Sequence, residues 1–150
     1  MNLKIPPPLV MLFFAVLMFG LDRILPVGEF DFFGRITLKY VVWSLAVLLL
    51  LISFIQFFRA KTTTNPIDPS KAKRLVINGI YSYTRNPMYL AMLLFLIGFG
   101  LKLGNAFNTI TAAGFVYFMN HFQIKREEEA LENLFGKEYK LYCKAVRRWF

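Results

Sequence analysis

Cysteine and histidine are nearly absent from this chain of 150 residues: each occurs once, as Cys143 and His121. A single cysteine excludes an intrachain disulfide, so nothing in the sequence demands an oxidising compartment. One cysteine with one histidine cannot build a zinc site of the usual kind, so no metal is expected, and no Ser-His-Asp arrangement is evident. Acidic residues are scarce, 9 against 18 lysines and arginines, and the formal net charge of +9 raises nucleic acid as a partner. The distribution argues against nucleic acid, because long apolar runs segregate the cations instead of leaving them on one soluble face. Missing too is an A-x-A-like cleavage site after the first apolar run, so that run reads as a retained segment even though Lys4 precedes it.

Apolar residues are what the chain has in abundance. Of its residues 57% are hydrophobic and 17 are phenylalanine, and the mean hydropathy is +0.48. That composition belongs in a bilayer. A spanning helix needs roughly 17 to 25 mostly apolar residues. The expectation is therefore an all-α integral membrane protein with about four transmembrane helices, at about 9–25, 38–58, 88–103 and 106–122, forming a single domain over 1–150. Of the 18 basic residues, only Arg23, Arg35, Lys39 and Lys102 fall on one side of such a bundle. The positive-inside rule then puts both termini and the connection from Arg59 to Arg85 in the cytoplasm, with membrane lipids as the surroundings.

Pro6-Pro7-Pro8 cannot lie inside a helix, so the first span should begin just after it. The stretch from Thr62 to Pro69 is rich in breakers and reads as a long connection of the kind that is functional or disordered. Gly104-Asn105 predicts a tight turn that makes an antiparallel hairpin of the third and fourth spans. The fourth span carries Asn108, Thr109, Thr111, Asn120 and His121, too polar a set to face lipid. Continued as a regular helix, Asn120, Gln123 and Glu127 stand three and four residues apart, on one face.

Two polar blocks flank the last two apolar runs. The first reads Gly79-Ile80-Tyr81-Ser82-Tyr83-Thr84-Arg85-Asn86-Pro87-Met88-Tyr89, and the second holds Glu127-Glu128-Glu129-Ala130-Leu131, Phe135-Gly136, Tyr139 and Tyr142 before a tail ending Arg147-Arg148-Trp149. In this order and spacing they resemble the isoprenylcysteine carboxyl methyltransferase family and its wider phospholipid methyltransferase relatives. The matching patterns are G-x-Y-x-x-x-R-[HN]-P-x-Y and E-E-x-x-L-x-x-x-F-G-x-x-Y-x-x-Y, and the resemblance covers roughly 59–150.

The resemblance implies S-adenosylmethionine as cofactor, bound by a half of the chain at about 59–150 that a cytoplasmic C-terminal helical segment completes. Carried over position by position, the family's cofactor contacts fall on Lys73, Arg74, Leu75, Val76, Tyr81, Asn86, Pro87, Met88, Tyr89 and Glu127. Tyrosine faces suit a sulfonium and an adenine, a carboxylate suits ribose hydroxyls or an ammonium, and Arg85 suits the cofactor's carboxylate. Asn86 stands where eukaryotic members have histidine. Gln123 stands where they have a substrate-directed arginine, with Arg126 as a possible substitute. Asn86, Gln123 and Arg126 are thus the candidates for aligning substrates. Glu128, Glu129 and Glu132 read as a solvated helix start, and the tail reads either as an interfacial anchor or as a closure of the site. The implied function is methyl transfer to a lipophilic or lipid-anchored acceptor at a bacterial-type inner membrane. The alternatives are a phospholipid amine N-methyltransferase or thiol S-methyltransferase on the same scaffold and, from another class, a non-catalytic membrane protein or small transporter. Nothing in the sequence sets the oligomeric state.

Overall fold

The computed structural model describes residues 5–25, 28–60 and 74–150, and the described residues are almost wholly helical. Helix α1 spans Pro7–Ile24 and α2 spans Arg35–Arg59. A single 3-10 turn, Gly79–Ser82, precedes α3 at Pro87–Leu103. Helix α4, Asn108–Phe118, runs without a break through a π-helical turn, Met119–Ile124, into α5 at Lys125–Phe135, and α6 follows at Lys137–Ala145.

Proline and glycine set most of these ends. Pro7 and Pro87 occupy first-turn positions, where a missing N–H costs nothing and the fixed φ favours the helix. Gly104 closes α3 in the left-handed conformation at φ +75°, and it is also a point of close approach. A Cβ there would lie 2.2 Å from Arg35 Nη1, the group that reaches past it to the Leu101 carbonyl at 3.0 Å. The turn after α3 is locked further by Asn105, which donates to the Leu25 carbonyl (2.8 Å) and accepts from the Phe107 amide (3.0 Å).

These contacts place the end of α1 and the starts of α2 and α4 at one end of the molecule. The start of α1, the end of α2, the start of α3 and the π turn gather at the other. Along α3, Gly98 lets the Trp43 ring of α2 press against the backbone, and the indole Nε1 donates to the Phe95 carbonyl at 3.2 Å. On the other flank, Val10, Phe14 and Met18 of α1 pack with Leu93 and Leu96 of α3 and with Phe115 of α4. A second, smaller cluster joins Tyr139, Tyr142 and Val146 to Leu75, Ile77, Leu131 and Phe135.

The expected four-span bundle is not what forms. Among the described residues only α1 and α2 are long and apolar enough to cross a membrane. The 17 residues of α3 reach about 25 Å at 1.5 Å per residue, and the helix begun by α4 reaches no further before the charged start of α5 at Lys125, short of a hydrocarbon layer of about 30 Å. The apolar run at 106–122 is shortened for a physical reason: its first two residues belong to the turn, and its last ones are wound into the π turn, where Asn120 and Gln123 make partly buried hydrogen bonds. Helix α3 is also the most enclosed element, with Tyr89, Ala91, Leu93, Leu96, Gly98 and Gly100 buried by its neighbours. By contrast α1 and α2 expose Leu12, Phe13, Val16, Leu45, Leu48, Leu51 and Phe58. A continuous apolar face of that kind suits contact with lipid.

Candidate functional site

The first motif block is shaped by α2. Gly79 adopts φ +63°, and a Cβ there would fall 1.9 Å from the Gln56 side chain. That side chain accepts from the Ile80 amide at 3.2 Å, so a glutamine in the last turns of α2 grips the 3-10 turn. The turn delivers Tyr81 into the interior, where its ring meets Phe57 edge-on at 5.2 Å between centroids. The Tyr81 hydroxyl is buried beside the Ser53 hydroxyl, which gives its own proton to the Leu49 carbonyl and so presents its oxygen to Tyr81. Burial and the nearby Tyr142 hold this phenol well above its ordinary range.

Helix α3 begins next, and in its first turn the buried Tyr89 points at α5. Its hydroxyl donates to Glu127 Oε1 at 2.5 Å, and Gln123 Nε2 donates to the same oxygen at 2.7 Å. Oε2 receives neither. Burial pushes the Glu127 carboxyl up to about 7 from an ordinary 4.5; the Tyr89 and Gln123 hydrogen bonds pull it down, and the neighbouring Glu128 adds to the rise. This is a carboxyl poised at neutrality with one oxygen left for a ligand's donors. Gln123 reaches it from the π-helical turn, where the spacing had assumed a regular α-helix. Asn120 instead accepts from the indole of Trp149 at 3.0 Å. Single π turns of this kind recur at functional sites.

Beside Glu127, Glu128 is no solvated charge. Its side chain is 19% exposed and takes a two-point contact from Arg148, Nε to Oε1 at 2.9 Å and Nη2 to Oε2 at 2.5 Å. Arg85 Nη2 lies 3.3 Å from the same carboxylate, and its Nη1 donates to Cys143 Sγ. Main-chain carbonyls of the tail take up the rest of the first block. Arg147 accepts from the Arg85 amide at 3.0 Å, and Arg148 accepts from Asn86 Nδ2 at 3.0 Å and Thr84 Oγ1 at 3.4 Å. Tyr142, whose phenol burial pushes up, donates to the Tyr81 carbonyl at 2.6 Å.

The structure therefore gathers Tyr81, Asn86, Pro87, Met88, Tyr89, Gln123 and Glu127 at one end of the helices. Leu75 lies close by in the second cluster, and Val76 is half-buried in the extended segment next to it. Arg74 and Arg126 are exposed at the surface, His121 contacts the Tyr117 carbonyl from an exposed position, and Lys73 lies outside the described residues. Sequence reasoning missed Glu128, whose partner stands 20 residues away in the tail, and Gln56, a polar residue in an apolar helix. The second had a visible signal, since α2 carries few polar interruptions. Arg85, expected to meet a cofactor carboxylate, is bound to Glu128 in this arrangement.

Residues 35–138 match the sequence model of a family described as phospholipid methyltransferase. An uncharacterized protein of Haemophilus influenzae is 47% identical over 62 residues, covering 41% of this chain and 98% of that protein. The protein-S-isoprenylcysteine O-methyltransferase of Schizosaccharomyces pombe is 32% identical over 77 residues, 51% of this chain and 33% of the yeast enzyme. The enzyme of the same name from Rattus norvegicus is 29% identical over 118 residues, 73% of this chain and 42% of the rat enzyme. This chain thus spans less than half the length of either eukaryotic relative. No solved structure matches it.

Proposed function

The chain belongs to the phospholipid methyltransferase family, and from that premise we propose that it is an S-adenosylmethionine-dependent methyltransferase working on a lipophilic acceptor at a bacterial inner membrane. One observation carries the reading: Tyr89 and Glu127, 38 residues apart, meet in a partly buried hydrogen bond that joins the two motif blocks. The residues at hand fit the cofactor. Glu127 keeps Oε2 for ribose hydroxyls or an ammonium, and Tyr81 and Tyr89 offer aromatic faces to a sulfonium and an adenine.

The bound sulfonium would supply an electrophilic methyl group, and in-line displacement asks the protein for alignment and exclusion of water. Here the alignment falls to the chain itself. Tyr89 and Gln123 hold Glu127 in one rotamer, Gln56 holds the turn bearing Tyr81, and Trp149, packed against the helical core, covers the π turn. The exposed faces of α1 and α2 would let an acceptor approach from the lipid side, while the basic tail would face the cytoplasm.

The acceptor class is narrowed by Gln123. Its amide is committed to Glu127, and no guanidinium stands at this position for a substrate carboxylate. A neutral amide forgoes a charge-assisted contact of about 1.5 to 3 kcal/mol. An amine or thiol acceptor is therefore favoured over a prenylcysteine carboxylate. The test is calorimetric titration of the purified protein with S-adenosylmethionine, followed by labelled methyl transfer to carboxylate, amine and thiol acceptors. Glu127→Gln should weaken cofactor binding by about tenfold or more, the cost of losing an ionised acceptor. Unchanged affinity in this variant removes Glu127 from the site, and efficient methylation of a prenylcysteine analogue overturns the acceptor assignment.

A further inference from the structure

The tail after α6 makes more polar contacts with the first motif block than an interfacial anchor requires. Three groups of that block, the Arg85 amide, Thr84 Oγ1 and Asn86 Nδ2, donate to the carbonyls of Arg147 and Arg148. The Arg148 side chain turns the opposite way and grips Glu128 with two nitrogens, one residue from the carboxyl that Tyr89 holds. Two-point guanidinium–carboxylate contacts fix orientation as well as distance. Arg148 thus touches the first block with its main chain and holds the second with its side chain.

The consequence falls on Asn86. An asparagine amide can present either end to a ligand, and its neighbours decide which. One N–H of Nδ2 goes to the Arg148 carbonyl, which sets the turn of the amide and keeps Oδ1 on the side away from that carbonyl, where it offers a ligand an acceptor. We propose that Arg148 is a positioning residue: anchored through its guanidinium to Glu128, it holds its carbonyl against the Asn86 amide and so fixes Asn86 as a hydrogen-bond acceptor in the cofactor site. This rests on the reading of that site given above. An acceptor there suits the cofactor's ammonium or the amino group of its adenine.

The experiment uses the full chain in lipid nanodiscs, with S-adenosylmethionine as probe and calorimetry as readout, alongside melting temperatures. Arg148→Met removes the grip on Glu128 while keeping length, and should weaken binding by about tenfold, as should Asn86→Ala. Combined, the two should be hardly worse than either alone, because both remove the same constraint; independent sites would multiply their effects. Arg148→Lys, which retains a charge but not the fork, should recover part of the affinity. If the unaltered protein binds and Arg148→Met lowers only the melting temperature, Arg148 merely fastens the tail and the proposal falls. Multiplicative losses in the double variant overturn it equally. No binding by the unaltered protein overturns the cofactor reading itself, and the positioning role with it.

Discussion

The cluster between α1, α3 and α4 is made of Val10, Phe14, Met18, Leu93, Leu96 and Phe115, with Tyr89 as its one polar side chain at the edge. The cluster beneath the tail is made of Tyr139, Tyr142 and Val146 against Leu75, Ile77, Leu131 and Phe135, with Arg85, Glu128 and Cys143 joined to its border. The first is held by shape: Phe14 meets Phe115 edge-on at 5.7 Å between centroids. Hydroxyls and charges direct the second, where burial raises the phenols of Tyr139 and Tyr142 and keeps them neutral donors. The candidate site lies on the seam between them, taking Tyr89 from one cluster and Glu127 from the helix that borders the other. A site so placed draws rigidity from packing on one side and orientation from hydrogen bonds on the other.

Breaking the first cluster should have the largest effect. Phe115 is fully buried, and Phe115→Ala should cost about 3 to 5 kcal/mol of stability through the cavity it leaves. Chemical denaturation would measure this, and a cost below about 1 kcal/mol would show the helices repacking freely. Cofactor affinity of the folded fraction should change little, since Phe115 lies away from Glu127 along α4.

The seam itself can be sharpened by pH. Glu127 has its folded value raised to about 7 from 4.5, so the folded state binds more protons than the unfolded state between those values. Its contribution to stability is present in full below about 4.5 and is lost as pH rises through about 7. Melting temperature without cofactor should fall across that window by an amount that Glu127→Gln abolishes. Cofactor affinity should rise over the same window, because the ionised carboxylate is the better acceptor. Equal pH profiles for the two proteins would place the titration elsewhere.

The smallest effect should come from the second cluster. Tyr142→Phe removes the hydrogen bond to the Tyr81 carbonyl and leaves that carbonyl short of a partner, at a cost of about 0.5 to 1.5 kcal/mol. Because this bond ties the tail helix to the 3-10 turn, the loss should weaken cofactor binding as well as stability. A stability change with unaltered affinity would separate the second cluster from the site.

Much of this was legible in the residues. The long apolar runs predicted α1 and α2 to within three residues at each end, and Pro87 and Gly104 marked where α3 begins and stops, whereas α1 starts at Pro7, inside the proline triplet it was expected to follow, because the first turn tolerates proline. The two blocks pointed to Tyr89 and Glu127, which the fold brings into contact. Hydropathy misled for α3 and α4 because it counts apolar residues without distinguishing those that face lipid from those that face protein. Ala91, Gly98 and Gly100 are apolar in sequence and enclosed by neighbouring helices in space. Glu128 was misread for a different reason: a run of acidic residues looks alike whether it is solvated or paired, and its partner Arg148 is too distant in sequence to be read from helical spacing. The contact between Gln123 and Glu127 follows from helical spacing, but the indole on Asn120 does not, since Trp149 stands 29 residues away in the tail.

The π turn at Met119–Ile124 bears on how this chain should be aligned with its relatives. Its hydrogen bonds close over five residues where an α-helix closes over four, so the helix holds one residue more than its length as an α-helix would allow. A relative with regular α geometry here would be one residue shorter, and its gap belongs between 119 and 124 rather than in the loops where alignments usually place gaps. Moved to the turn at Gly104–Asn105, that gap would shift every position of α4 by a residue and pair Phe115 with the wrong counterpart. Correspondences upstream and downstream of the π turn therefore have to be established separately.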